Sequence, residues 1–137
     1  SWLYAAEAEL QAMAGNADDC HRALDAAEQV LPPGAHDRDA DLPSVFLNDA
    51  HLTRWRGNTL VLLGDDRAVD ELYAALAAMD STFVRAQAGV RCSLAHAHLV
   101  RGERDEAQVH LREARLIANR TGSVRHRRRI DRLTGLL

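Results

Sequence analysis

With 137 residues, the chain is long enough for one domain with a continuous core. Apolar residues make up 47% of it but aromatic residues only 4%, so the composition favours closely packed helices rich in alanine and leucine. Two cysteines argue against a disulfide scaffold and favour the reducing cytoplasm. We expect no signal peptide and no membrane span, since the longest strongly apolar stretch is only 59–63.

Seven helices are predicted in chain order, separated by glycine, proline and short acidic turns. Their predicted ranges are about 2–14, 17–31, 44–63, 66–79, 82–101, 105–120 and 124–136. Pro32-Pro33 ends the second helix, and the polar segment 32–43 is predicted to be a loop. Asp65 or Asp66 caps the fourth helix, and Ser123 caps the last.

The helices repeat in pairs, and the repeat is marked by Gly15, Gly64 and Gly102. A small residue lies seven positions before each of these glycines, and three packing residues follow each at spacings of four and three. The small residues are Ala8, Gly57 and Ala95, and the triplets are Cys20–Leu24–Ala27, Ala68–Leu72–Ala75 and Ala107–Leu111–Ala114. Matched small residues let successive helices approach closely, which predicts three stacked helix pairs and one terminal helix.

This pattern resembles the tetratricopeptide repeat, whose consensus has the same small residue, turn glycine and alanine–apolar–alanine triplet. The resemblance implies an all-α fold, an α-α superhelix of about three helix pairs with a C-terminal capping helix. The chain would form a single domain, with repeats at about 1–33, 44–81 and 82–121 and the terminal helix at 123–137. The glycines are 49 and 38 residues apart rather than about 34, so we expect an irregular array.

Three strings resemble the C-terminal part of actinobacterial Xre-type helix-turn-helix transcriptional regulators: SWLYAAEAELQAMAGN, HLTRWRGNTLVLLGD and GERDEAQVHLREARLIANRTGSVRHRRRIDRL. The resemblance implies a cytoplasmic regulator whose array senses a peptide, protein or small-molecule ligand. DNA would be read only by a headpiece outside this chain. The alternative is a purely structural dimerisation or scaffold module, which would make the chain a homodimer.

Helix A of each tetratricopeptide repeat lines a concave groove, and the resemblance implies which residues of this chain lie there. In repeat two they are His51, Arg54, Trp55, Asn58 and Leu62, and in repeat three Cys92 and His96. Glu9 and His96 occupy the positions equivalent to Asn58. Arg54 and Asn58 are four apart and share a helix face, so an arginine fork and an amide could bind a carboxylate together. The alternative is a polar helix face with salt bridges to Asp or Glu. Trp55 is more often a core residue than a contact.

A basic end contrasts with an acidic beginning. Residues 1–81 carry a formal charge of −10 and residues 82–137 a charge of +7. Four arginines form a stripe at helical spacing on the last helix, namely Arg125, Arg128, Arg129 and Arg132. The stripe is predicted to face an acidic part of the array or a second copy; direct nucleic-acid contact is a further alternative. No metal-ligand spacing, cofactor motif or catalytic signature occurs, so we expect neither a metal site nor an enzyme.

Overall fold

The computed structural model describes residues 2–31 and 49–137, and in these residues every regular element is an α-helix. The helices are α1 (Trp2–Met13), α2 (Ala17–Gln29), α3 (Asp49–Leu63), α4 (Arg67–Ala78), α5 (Val84–Val100), α6 (Arg104–Thr121) and α7 (Val124–Thr134). The predicted all-α class is therefore confirmed. The predicted loop 32–43 and the predicted start of the third helix at 44 lie outside the described residues.

The three repeat glycines end α1, α3 and α5 in the same way. Gly15, Gly64 and Gly102 have φ of +78°, +73° and +76°, which is the left-handed region that glycine enters without strain. In each turn the residue after the glycine donates its backbone N–H to the carbonyl five positions earlier, at 2.9 Å. This is the Schellman arrangement, which satisfies carbonyls at the end of a helix. Gly122, with φ of +69°, ends α6 with the same pattern.

All the packing positions of the predicted repeat are buried. The small residue of each first helix and the triplet of each second helix are at most 4% exposed, or buried in the case of Gly57. At Gly57 the fit is closest, because an added Cβ would lie 2.6 Å from Leu72 Cδ2 and 2.7 Å from Leu72 Cγ. The small residue at position 57 therefore marks a close contact between α3 and α4.

Three kinds of contact build the array, and one of them joins each second helix to the next helix in the chain, in the pairs α2–α3, α4–α5 and α6–α7. Each first helix packs on its own second helix, in the pairs α1–α2, α3–α4 and α5–α6. The first helices also pack on one another in the order α1, α3, α5, and α7 continues that row by packing on α5. One buried cluster joins α1 to α5, and a second joins α5, α6 and α7. In the described part of the chain, no helix combines the length and apolarity needed to cross a bilayer.

Candidate ligand-binding groove

The row of first helices lines a groove of about 630 Å³, which we call the central groove. A groove of this volume suits a small molecule or a short peptide. The residues that line it are Glu9 of α1, Arg54, Asn58, Val61 and Leu62 of α3, Arg85, Ala86, Gly89 and His96 of α5, and Arg125, His126, Arg129 and Arg132 of α7. Since α3 and α7 both pack on α5, α5 lies between the other two along the groove.

Two sets of residues that the sequence pattern does not connect both line the central groove. Glu9, Arg54, Asn58 and His96, which the tetratricopeptide resemblance assigns to a concave surface, all line it. Three members of the arginine stripe line it as well: Arg125, Arg129 and Arg132. The stripe thus faces the same space as the predicted groove residues, because α7 takes the place of a further first helix.

The other predicted site residues lie elsewhere. Trp55 is half-buried, packs edge-on to Trp2 at 6.5 Å between ring centroids, and borders an apolar cluster rather than the groove. Arg128 is exposed and does not line the groove. Cys92, which the repeat alignment puts at a groove position, is instead fully buried in the core between α5 and α6. His51 belongs to α3, but its side chain lies outside the described part of the structure.

Positive charge dominates the central groove. Among the described residues, five arginines line it, against a single carboxylate, that of Glu9. Burial lowers the pKa of the Arg54 guanidinium. Burial also lowers the pKa of Arg129, and the neighbouring charges of Arg125 and Arg132 lower it further. Both guanidiniums are thus held where their positive charge is costly, and an anion in the groove would relieve that cost.

Arg129 is held in place by neutral partners. Its Nη2 donates to Ser93 Oγ at 2.9 Å, and its Nη1 lies 3.5 Å from the carbonyl oxygen of Gly89. There is free space between α5 and α7 at Gly89, since an added Cβ there would contact only His126 Nε2, at 3.6 Å. These contacts fix the guanidinium at the groove without neutralising it.

Two polar atoms of groove residues are buried without a hydrogen-bond partner. They are Asn58 Oδ1 and His126 Nδ1, and among the described side chains the only other such atom is Thr59 Oγ1. Buried polar groups in folded proteins are nearly always paired, so unpartnered ones at a groove are candidates for contact with a ligand. Burial, followed by the nearby arginines, lowers the pKa of His126, which favours its neutral form.

Arg85, Gly89 and His126 were not predicted as groove residues. Arg85, Gly89 and His96 follow one another at spacings of four and seven, so helical periodicity alone could have placed all three on one face. His126 could not be found in that way, because its position depends on how α7 rotates to bury Ile130 and Leu133.

A second polar cluster, distinct from the groove, joins α4, α5 and α6. Tyr73 Oη lies 2.8 Å from His110 Nε2 and 3.3 Å from His98 Nε2. His98 Nδ1 is 2.5 Å from Glu103 Oε2, and Arg91 Nη1 is 3.3 Å from His110 Nδ1. The two imidazoles stack, with 5.6 Å between their centroids. His98 is thus a packed histidine and is 5% exposed.

The donors and acceptors of this cluster form one consistent order. A guanidinium only donates, so His110 Nδ1 accepts from Arg91 and His110 Nε2–H donates to Tyr73. A carboxylate only accepts, so His98 Nδ1–H donates to Glu103 and Tyr73 O–H donates to His98 Nε2. All four imidazole nitrogens and the Tyr73 hydroxyl are then paired, and the arrangement gives the cluster a structural role. Among the described residues, no group of three or more His, Cys, Asp or Glu is placed to hold a metal ion.

Comparisons with known proteins assign no ligand to the central groove. Comparison with protein-family models, curated protein sequences and solved structures finds no significant match to this chain. The residues that line the groove are therefore the evidence for the class of its ligand.

Proposed function

We propose that this chain is the ligand-sensing domain of a cytoplasmic bacterial transcriptional regulator, and that its ligand binds in the central groove. The regulator class is supported by the resemblance of three strings in the sequence to the C-terminal part of Xre-type regulators. The sensing role is carried by one observation, the convergence of Glu9, Arg54, Asn58, His96 and the α7 arginines on a single groove. DNA binding would belong to a headpiece outside this chain.

The groove also supports a mechanism for signalling. Its lining comes from α1, α3, α5 and α7, which are distant in sequence and packed in a row. A ligand that contacts several of these helices favours one relative placement of them over others. The free-energy difference between those placements would then pass to a headpiece or a partner copy, and binding would be coupled to DNA affinity.

The test is an NMR titration of the chain with the small-molecule and peptide fraction of a bacterial extract. We expect amide shifts concentrated at groove residues such as Asn58 and Gly89, and smaller shifts on the outer face of α6. The Arg54→Ala variant should lose the groove shifts, whereas Arg112→Ala, on the exposed face of α6, should keep them. An extract that shifts no groove amide at any concentration would contradict the proposal.

A structural module for dimerisation or scaffolding is the second candidate, and α1 supplies the observation that favours it. Leu3, Leu10 and Met13 are 75%, 67% and 69% exposed on a helix that begins the described array. Apolar side chains grouped in this way mark a surface for contact with another protein. Sedimentation of the chain distinguishes the two candidates, since a tight dimer disrupted by Leu10→Glu would favour the module and a monomer would favour the sensor.

A further inference from the structure

Two of the three half-buried arginines outside the central groove pair with a carboxylate, and in the described residues neither half-buried arginine of the groove does. Five arginines in the described residues are half-buried, namely Arg54, Arg56, Arg91, Arg115 and Arg129. Outside the groove, Arg56 pairs with Asp25 at 3.0 Å, Arg115 with Asp131 at 2.8 Å, and Arg91 donates to His110. Within the described residues neither Arg54 nor Arg129 pairs with a carboxylate, and Arg129 is held only by a hydroxyl and a carbonyl.

Half-buried cations without counter-ions are costly, and a fold that keeps two of them at one groove keeps them where an anion can offset the cost. Arg125 and Arg132 add to the same charge, because they lie four residues before and three residues after Arg129 on one face of α7. Arg54 approaches from α3, on the other side of α5. The groove therefore presents guanidiniums from α3 and α7, two helices that do not pack on each other, and Arg85 adds a third from the intervening α5.

We propose that the central groove binds a small phosphate-bearing anion, held by Arg54 of α3 and by Arg125, Arg129 and Arg132 of α7. This inference rests on the proposed sensing function and names its ligand class. A single carboxylate would neutralise one of five arginines, whereas a phosphate monoester carries nearly two charges and three acceptor oxygens near neutral pH. Several guanidiniums can fork onto those oxygens at once.

The shape of the groove argues for a small molecule rather than a nucleic acid. Proteins read duplex DNA by inserting a helix or ribbon into its grooves, whereas here the arginines line a concave space. Single strands are held by stacking their bases on aromatic rings, and no Phe, Tyr or Trp lines the described groove. A volume of about 630 Å³ lies within the range of small-molecule sites.

The remaining polar residues indicate what the rest of the ligand carries. Glu9 is a carboxylate and Asn58 Oδ1 is a buried acceptor without a partner, and both lie at the α1–α3 end of the groove. Two acceptors at that end match hydrogen-bond donors on the ligand, such as hydroxyl or amino groups. The ligand class is thus a phosphorylated compound with donor groups away from its phosphate.

The test is isothermal titration of the chain with inorganic pyrophosphate and with citrate, a polycarboxylate of similar charge, at equal ionic strength. We expect pyrophosphate to bind about tenfold or more tightly than citrate. Arg129→Met and Arg125→Gln should each weaken pyrophosphate binding about tenfold, while Arg127→Met, exposed on the same helix outside the groove, should change it less than about twofold. Arg125 is exposed, so we expect Arg125→Gln to fold. This variant therefore tests the proposal even if Arg129→Met fails to fold.

Several outcomes would overturn the phosphate class. If citrate binds as tightly as pyrophosphate, the arginines recognise negative charge alone. If Arg127→Met weakens pyrophosphate binding as much as Arg129→Met does, the attraction comes from the overall charge of α7 and not from the groove. A short DNA duplex that displaces pyrophosphate at lower concentration would assign the arginines to nucleic acid. If pyrophosphate fails to bind while the extract still shifts groove amides, only the ligand class is wrong; if both fail, the sensing function is wrong as well.

Discussion

Gly57 shows how one missing side chain sets the spacing of two helices. It lies in α3 directly against Leu72, a fully buried residue of α4. Leu72 Cγ is not the free end of a mobile chain, and the residue has no exposed side into which to retreat. Any side chain at position 57 must therefore displace α4 or strain Leu72.

The first prediction is that Gly57→Ala lowers the free energy of unfolding by about 1–3 kcal/mol, because overpacking outweighs the better helix propensity of alanine. Urea denaturation measures the change. Gly89→Ala is the matched control, since its Cβ would meet only His126 Nε2 at 3.6 Å. The control should gain about 0.5–1 kcal/mol from helix propensity, and a similar gain in Gly57→Ala would disprove the close contact.

Residues of this kind are the ones that the sequence predicts best. A buried small residue, such as Gly57 or Ala95, and a left-handed glycine, such as Gly102, are needed wherever a helix pair repeats, so they recur at fixed spacing. Groove residues such as Glu9 and His96 have no such requirement and do not recur. The repeat predicts their positions. It does not predict that the arginines of α7 line the same groove, and those arginines determine its chemistry.

At the scale of helices, the Tyr73–His98–His110 cluster binds α4, α5 and α6 together. The sequence pattern does not predict this cluster. The three residues are separated by up to 37 positions, and their contact depends on the register of three helices at once. The local pattern of any single helix contains no information on that register.

The second prediction concerns pH. Burial, reinforced by the charge of Arg91, lowers the pKa of His110 to about 4. The unfolded value is about 6.5, so between these two values the unfolded chain binds more protons than the folded one. Stability should therefore fall as the pH drops from about 6.5 to about 4, by roughly 3 kcal/mol from His110 alone.

Urea denaturation at several pH values checks this expectation, with His110→Gln as the comparison. Burial also lowers the pKa of His96 and His126, so these residues add a fall in the same direction to both proteins. The difference between the two pH profiles isolates His110. Identical profiles for the native chain and the variant would mean that His110 accepts its proton without loss of stability.

At the scale of the whole molecule, positive charge is unevenly compensated. Arg56 and Arg67 neutralise carboxylates of the acidic half, at Asp25 and Asp65. The arginines of α7 instead meet Arg54 across α5, and Glu9 is the sole carboxylate among the described residues that line the groove. The charges of −10 and +7 led to the prediction that the stripe faces an acidic part of the array or a second copy. That prediction is wrong for the described residues, because the packing of α7 on α5 turns Arg125, Arg129 and Arg132 toward a groove whose charged residues are mainly arginines.

The third prediction is that the groove arginines reduce the stability of the free protein. Arg54→Met should raise the free energy of unfolding by about 1 kcal/mol, because it removes a half-buried cation without a carboxylate partner in the described structure. Arg56→Met, two residues away, should lower it by about 0.2–1 kcal/mol, because it breaks exposed ion pairs. Chemical denaturation at low salt measures both, and changes of the same sign would contradict the prediction.

The position of α5 has a consequence for how the molecule unfolds. Val90 and Leu94 belong to the cluster shared with α1–α4. Cys92 and Ala95, which alternate with them along α5, belong to the cluster shared with α6 and α7. Repeat arrays commonly fray from their ends, one unit at a time. Because α5 contributes to both clusters, its loss would expose both at once, and we expect the array to open as one cooperative unit. A ligand in the central groove, which α5 helps to line, would then slow the unfolding of every helix together.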